Sequence, residues 1–140
     1  MKPVTPKPNS PEASAGTSEN LSSQDEALLW DMEERFWTEG ADSARQMTAK
    51  GAVFVLPYPA GILQGNALWR EKGVAQRWRS VVMNERHFTR EGNIAVLAYV
   101  VSAERGGEPV YDALCTSTYL KDDAKWLRLS HQQTPAHQSE

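Results

Sequence analysis

Histidine is the side chain whose ordinary pKa lies nearest neutrality, and this 140-residue chain has three of them: His87, His131 and His137. His131 is the leading proton-transfer group. In the run Leu127 to Gln133, strand alternation puts Leu127, Leu129, His131 and Gln133 on one face, and the two leucines mark that face as apolar and inward. An inward imidazole beside a carboxylate supports proton abstraction or dehydration. The carboxylates at hand are Asp112, one strand earlier, and Glu33, between Trp30 and Trp37. A histidine that merely satisfies a buried polar group has the same pattern. His87 joins the set only if its own strand faces inward, which its mixed pattern leaves open. His137 follows Pro135 near the chain end, so the three histidines make no ligand spacing and no metal site is expected. Phosphate-cradling glycine loops and nucleophile elbows are absent, so no cofactor is expected.

The elements that must position these groups begin after residue 22. Pro3, Pro6, Pro8 and Pro11 sit among Ser, Thr, Asn and Gly, which predicts a flexible tail over residues 1–22. Ser23 and Glu26 form a capping box that opens a first helix, in which Leu29, Met32 and Phe36 recur at helical spacing and Trp30 and Trp37 form a second stripe; Gly40 ends it. A short second helix runs from Asp42 to Thr48 and is closed by Lys50-Gly51. Val53 to Leu56 reads as a strand stopped by a rigid loop, Pro57-Tyr58-Pro59-Ala60-Gly61. Asn66 caps a third helix carrying Leu68, Trp69 and Val74 toward Trp78.

From Ser80 the hydrophobic period changes to two. Strands are expected over 81–90, 94–105, 110–120 and 126–134, joined by turns at Glu91-Gly92-Asn93, Gly106-Gly107-Glu108-Pro109 and Lys121 to Ala124. Together they make an antiparallel meander, with residues 136–140 frayed and residues 23–135 forming one α+β domain.

Composition bounds the function classes. With 40% hydrophobic and 24% charged residues, the chain is long enough for one domain that buries roughly two-thirds of its unfolded surface. A net charge of −3 argues against nucleic acid as partner, and the cations Arg70, Lys72, Arg77 and Arg79 read as a solvated helix face. One cysteine, Cys115, excludes an intrachain disulfide and packs as a small hydrophobe in its strand. No apolar run reaches the roughly 20 residues that span a membrane, and no secretory leader is seen, so the expected location is cytoplasmic.

The order of elements, with Phe36 to Asp42, Ala52 to Pro57, Gly61, Gly65 and the run Tyr119 to His131, resembles the nuclear transport factor 2-like superfamily over residues 24–134. Within it the chain looks most like the SnoaL-like branch, a neighbour of ketosteroid isomerase and scytalone dehydratase. The resemblance implies a cone-shaped, cystatin-like α+β fold, in which a curved antiparallel sheet wraps N-terminal helices and encloses a pocket. Ketosteroid isomerases place their general base just before the proline that ends the first strand. Here that position is Leu56, which cannot move a proton, and the second acid aligns near Thr116. The isomerase mechanism is therefore not expected.

Within the implied pocket, pairing through the Gly106-Gly107 turn sets Tyr99 beside Asp112, Leu114, Thr116 and Thr118. Catalytic groups would then be His131, Asp112 and Tyr99. Ligand contacts would come from Trp30, Glu33, Tyr58, Trp69, Thr116 and Gln133, with Trp78 adding aromatic surface. Arg105, at the hairpin, either grips a ligand carboxylate or stands in solvent. The expected partner is a small apolar or aromatic ligand, and any catalysis is cofactor-independent acid–base work of isomerase, dehydratase or cyclase type. The alternative is a non-catalytic association scaffold, a homodimer through an outer sheet face carrying Tyr111, Cys115, Ser117, Tyr119 and Trp126.

Overall fold

The computed structural model describes residues 11–71, 74 and 76–136, with side chains from Ser22 onward. The basic residue Lys72 and the third histidine, His137, lie outside the described residues, as do residues 1–10 of the expected tail. The chain divides into two compact units, Met1–Asp31 and Met32–Glu140. The first is carried by the helix α1, Pro11–Thr38, whose last turns belong to the second unit. This helix starts well before the Ser23 capping box. Proline is favoured at a first helical position because its missing N–H has no partner there anyway, and the Glu-Ala-Ser-Ala run after it opposes helix only weakly. Trp30 lies in the first unit, where its indole Nε1 donates to Glu26 Oε2 at 3.4 Å.

In the second unit, Gly40 (φ +94°) supplies the backbone conformation that breaks α1 from α2, Ala41–Gln46. Six strands follow: β1 Thr48–Val55, β2 Ile62–Gln64, β3 Ser80–Glu91, β4 Ile94–Glu104, β5 Tyr111–Asp122 and β6 Lys125–Pro135. They form one curved, open sheet in the order β2-β1-β6-β5-β4-β3. The meander β3 to β6 is antiparallel as expected, but β1 joins β6 in parallel, so the sheet is mixed. Lys50-Gly51 lies within β1 and does not close a helix. In place of a third helix there is one 3-10 turn, Gly65–Trp69, and no helix among the described residues from there to Ser80. Residues 72, 73 and 75 of the expected helix lie outside the described residues.

Register decides which side chains meet. Tyr99 pairs with Cys115 and Ala103 with Tyr111, because that last pair encloses seven residues where the four-residue turn Gly106 to Pro109 was expected. That one-residue change of phase turns Ala113, Cys115, Ser117 and Tyr119 inward beside Ala95, Leu97, Tyr99 and Val101, all of them buried. Asp112, Leu114 and Thr116 go to the other face. The expected association surface of Tyr111, Cys115, Ser117, Tyr119 and Trp126 is therefore corrected: the last four are buried, and Trp126 is held under Arg90 and Lys121.

β6 contains its own irregularity. Tyr119 pairs with Arg128 but Thr118 with Ser130, so Leu129 is an extra residue, and alternation restarts after it. Trp126 and Arg128 point inward before the bulge and His131 after it, while Leu129 is exposed. His131 thus reaches the interior as expected, yet not on the face of Leu127 and Leu129 that was to carry it. On β3 the register shifts between Asn84 and His87, which brings His87 opposite Ala98 and leaves it exposed.

Candidate functional site: a buried carboxylate centre beneath an aromatic pocket

Glu33 is fully buried in the second unit and has a donor at every lone-pair direction that matters. Its Oε2 accepts from the Tyr99 hydroxyl at 2.5 Å and from the Ser117 hydroxyl at 2.5 Å; its Oε1 accepts from the Tyr119 hydroxyl at 2.7 Å and from Arg128 Nη2 at 3.2 Å. Arg128, also fully buried, donates through Nη1 to Thr48 Oγ1 at 3.3 Å and packs its guanidinium 4.4 Å over the Phe36 ring. Burial alone would raise the Glu33 pKa, but the Arg128 charge, His131 and the Ser117 hydroxyl outweigh it and hold the carboxyl well below its usual range. Tyr99 and Tyr119 move the other way. Burial raises both phenols well above their ordinary value, so they act as fixed donors.

His131 Nδ1 lies 2.7 Å from Ser117 Oγ and 3.5 Å from Glu33 Oε2, and its Nε2 lies 3.0 Å from Gln133 Nε2. Counting protons assigns the tautomer. Ser117 gives its one hydroxyl proton to Glu33, so Nδ1–H donates to Ser117 and the bare Nε2 accepts from the Gln133 amide. Burial lowers the His131 pKa against the opposing pull of Glu33, which keeps the ring neutral at pH 7. The hydrogen bonds continue outward, for the Tyr111 hydroxyl donates to Gln133 Oε1 at 2.9 Å. One chain of hydrogen bonds therefore runs from Tyr111 through Gln133, His131 and Ser117 to Glu33.

Tyr111 and Gln133 are also walls of a pocket of about 410 Å³. Its aromatic and apolar sides come from Phe36, Trp37, Leu56, Pro57, Val74 and Trp78, and its polar groups from Glu71, Gln76, Arg105 and Gln133. Trp78 and Tyr111 stack at 5.6 Å and 16° between planes, and Arg105 lies 4.3 Å over the other ring system of that pair, Trp78. Burial pushes the Tyr111 phenol up to about 12, so it stays protonated.

The residues expected at a site divide accordingly. Glu33, Tyr99 and His131 meet in the buried centre, and Gln133 joins that centre to the pocket. Asp112, on the opposite face, accepts from Ser102 and so does not form a dyad with His131. Thr116 shares that outer face and donates to Gln132 Oε1 at 3.1 Å. Tyr58 is 93% exposed, with neighbouring Pro57 and Pro59 in the pocket wall while its own ring is outside it. Trp69 lies under Arg45 at 5.9 Å, beside a different groove, and Trp30 is not among the described walls of the 410 Å³ pocket. Sequence reasoning missed Ser117, Tyr119 and Arg128, all placed outward or left unassigned by the wrong strand phase, and it missed Tyr111 as a pocket wall. No group of three or more His, Cys, Asp or Glu side chains able to hold a metal ion is found among the described residues. Among the same residues, no helix is long and apolar enough to cross a membrane.

Neither a sequence-family model nor a curated protein matches the chain. Solved structures do. A candidate ketosteroid isomerase from Parabacteroides distasonis superposes with a TM-score of 0.69 at 16% identity, covering 78% of this chain and 86% of that one. The association domain of C. elegans CaMKII gives 0.66 at 16% identity, over 84% and 98%. An NTF2-like protein of unknown function from Prochlorococcus gives 0.62 at 17%, over 79% and 92%. The chain has the nuclear transport factor 2-like fold, an α+β architecture.

Proposed function

We propose that the chain is a small-molecule-binding domain that takes a planar, mostly apolar ligand into the pocket walled by Phe36, Trp37, Trp78 and Tyr111. The observation carrying this reading is the pocket itself: about 410 Å³, aromatic on its sides, with a few polar groups at fixed places. That is the size and make-up of small-ligand sites in general. The buried centre supports the wall. A carboxylate saturated by four donors and held ionised by Arg128 is a weak base, so Glu33, Tyr99 and His131 are positioning residues in this reading. They fix Gln133 and Tyr111 through the hydrogen-bond chain. A thermal-shift and calorimetric screen of planar hydrophobic compounds tests it. Binding should be lost in Trp78→Ala and unchanged in Tyr58→Ala. No binding by any compound, or binding indifferent to Trp78→Ala, would end the proposal.

A second reading, self-association through the outer sheet face, rests on Val82 and Leu114. They are 54% and 53% exposed on that face, where Leu114 pairs with Val100. The similarity to association domains favours the same reading. Sedimentation would then show a dimer that Leu114→Asp dissociates, and a monomer at every concentration tested would sink it.

A further inference from the structure

Two polar atoms in the pocket wall are buried without a hydrogen-bond partner, Arg105 Nε and Gln76 Oε1. A buried donor on a cation is costly to leave unmet, because hydrogen bonds to charged groups are worth more than neutral ones and their loss correspondingly more. Arg105 is also held in place. Its guanidinium stacks 4.3 Å over Trp78, which stacks in turn on Tyr111, so it lies beside the aromatic slot. Among the described residues its ion-pair partner is Glu108, 3.6 Å from Nη2 and beyond hydrogen-bond reach, with 57% of its side chain exposed. That pairing is a solvent-screened one and contributes little.

The Arg105 side chain is 36% exposed although its Nε is covered, so a carboxylate reaches the Nε/Nη2 edge when the guanidinium turns on the Trp78 face; that edge is then the planar fork that a carboxylate fills with two parallel hydrogen bonds. We infer that the ligand of this pocket is an aromatic monocarboxylate, its carboxylate on the Nε/Nη2 edge of Arg105 and its ring in the slot formed by Trp78, Tyr111, Phe36 and Trp37. Among the described residues the pocket's other charged residue is Glu71, which disfavours a second anionic group. Gln76 Oε1 offers an acceptor for a hydroxyl or N–H on the ring. This inference rests on the pocket reading above and goes further, naming the ligand class and the residue that selects it.

Isosteric pairs separate the two ideas: benzoate and benzamide, 2-naphthoate and 2-naphthamide, indole-3-acetate and indole-3-acetamide, titrated calorimetrically into the full chain and into Arg105→Gln. Each pair keeps the ring and the planar head group and replaces the anion's second acceptor oxygen by an uncharged NH2 donor. For the pair that fits, the carboxylate should bind about tenfold or more tighter than the amide, the value of one charge-assisted hydrogen bond. Arg105→Gln should abolish that preference, bringing carboxylate binding to the level of the amide, and its thermal unfolding midpoint reports that the variant is folded. Equal binding of carboxylate and amide, or a preference that persists in Arg105→Gln, overturns the carboxylate assignment and leaves the pocket. Failure of all six compounds to bind overturns both.

Discussion

At the scale of the residue, the interior of this protein is governed by Glu33 and Arg128. Each is fully buried, and each would be expensive to bury alone. Together they satisfy one another at 3.2 Å and recruit Tyr99, Ser117, Tyr119 and Thr48 to the remaining valences, although Arg128 Nε has no partner. Such a pair has an asymmetric mutational signature. Glu33→Leu or Arg128→Met alone leaves an uncompensated buried charge and should cost about 3–5 kcal/mol, whereas the double variant removes both charges and should cost much less than the two single costs added. Urea unfolding of the three variants measures this, and simple additivity would show that the two side chains do not act as a pair. Glu33 was legible in the sequence as an acid between two tryptophans on a helix. Arg128 was not. It has the opposite parity to Leu127, Leu129 and His131, and only the bulge at Leu129 brings it to the face of His131; a bulge leaves no compositional mark.

At the scale of the element, strand phase is what the sequence under-determined. The strands of the meander, their limits and their turns followed from period-two patterning and glycine-rich reversals. Which face pointed inward depended on three local features that patterning does not show: the odd, seven-residue stretch enclosed by the last β4–β5 pair, Ala103 and Tyr111, the extra Leu129 in β6 and the shifted register in β3. Each one exchanges the two faces beyond it. The β3 irregularity contains Glu85 at φ +50°, a left-handed conformation that costs a side-chain-bearing residue about 1–2 kcal/mol. Glycine has no such penalty but loses about 0.5–1 kcal/mol more chain entropy on folding. Glu85→Gly should therefore be neutral to stabilising by up to about 1 kcal/mol, and Glu85→Val destabilising, since a β-branched residue is least tolerant of that φ. Denaturant midpoints decide it. A Val variant as stable as the wild type would mean that β3 lacks this bulge in solution. The same irregularity explains why His87, exposed opposite Ala98, does not join His131.

At the scale of the whole molecule, the buried centre couples stability to pH. His131 has a folded pKa below its ordinary value, so between the unfolded value near 6.5 and the folded one the unfolded chain binds a proton that the native state refuses. Stability from this group is complete above about pH 6.5 and declines as the pH falls toward the folded pKa. Glu33 acts in the same direction at lower pH. Its folded pKa is depressed, so its contribution is intact above the unfolded value of about 4.3 and is lost as the pH falls through that value toward the folded one. Glu39, paired on the surface with Ser43 and Arg35, adds to the second window only weakly because solvent screens it. The groups facing this centre, Tyr99 and Tyr119 with pKa values raised by burial and Arg128 with its value raised, do not titrate in either window. The unfolding free energy should accordingly fall in two stages on acidification, each with a slope approaching about 1.4 kcal/mol per pH unit where one proton is taken up. His131→Gln should lower the whole curve and erase the upper stage, leaving the lower one. The shape of the curve between pH 7 and pH 5 is the measurement, because a loss of packing shifts its height without changing its slope. A wild-type curve that is flat or rises on acidification across that interval would show that the imidazole is charged in the native state, and the tautomer assigned to the hydrogen-bond chain from Tyr111 to Glu33 would fall with it.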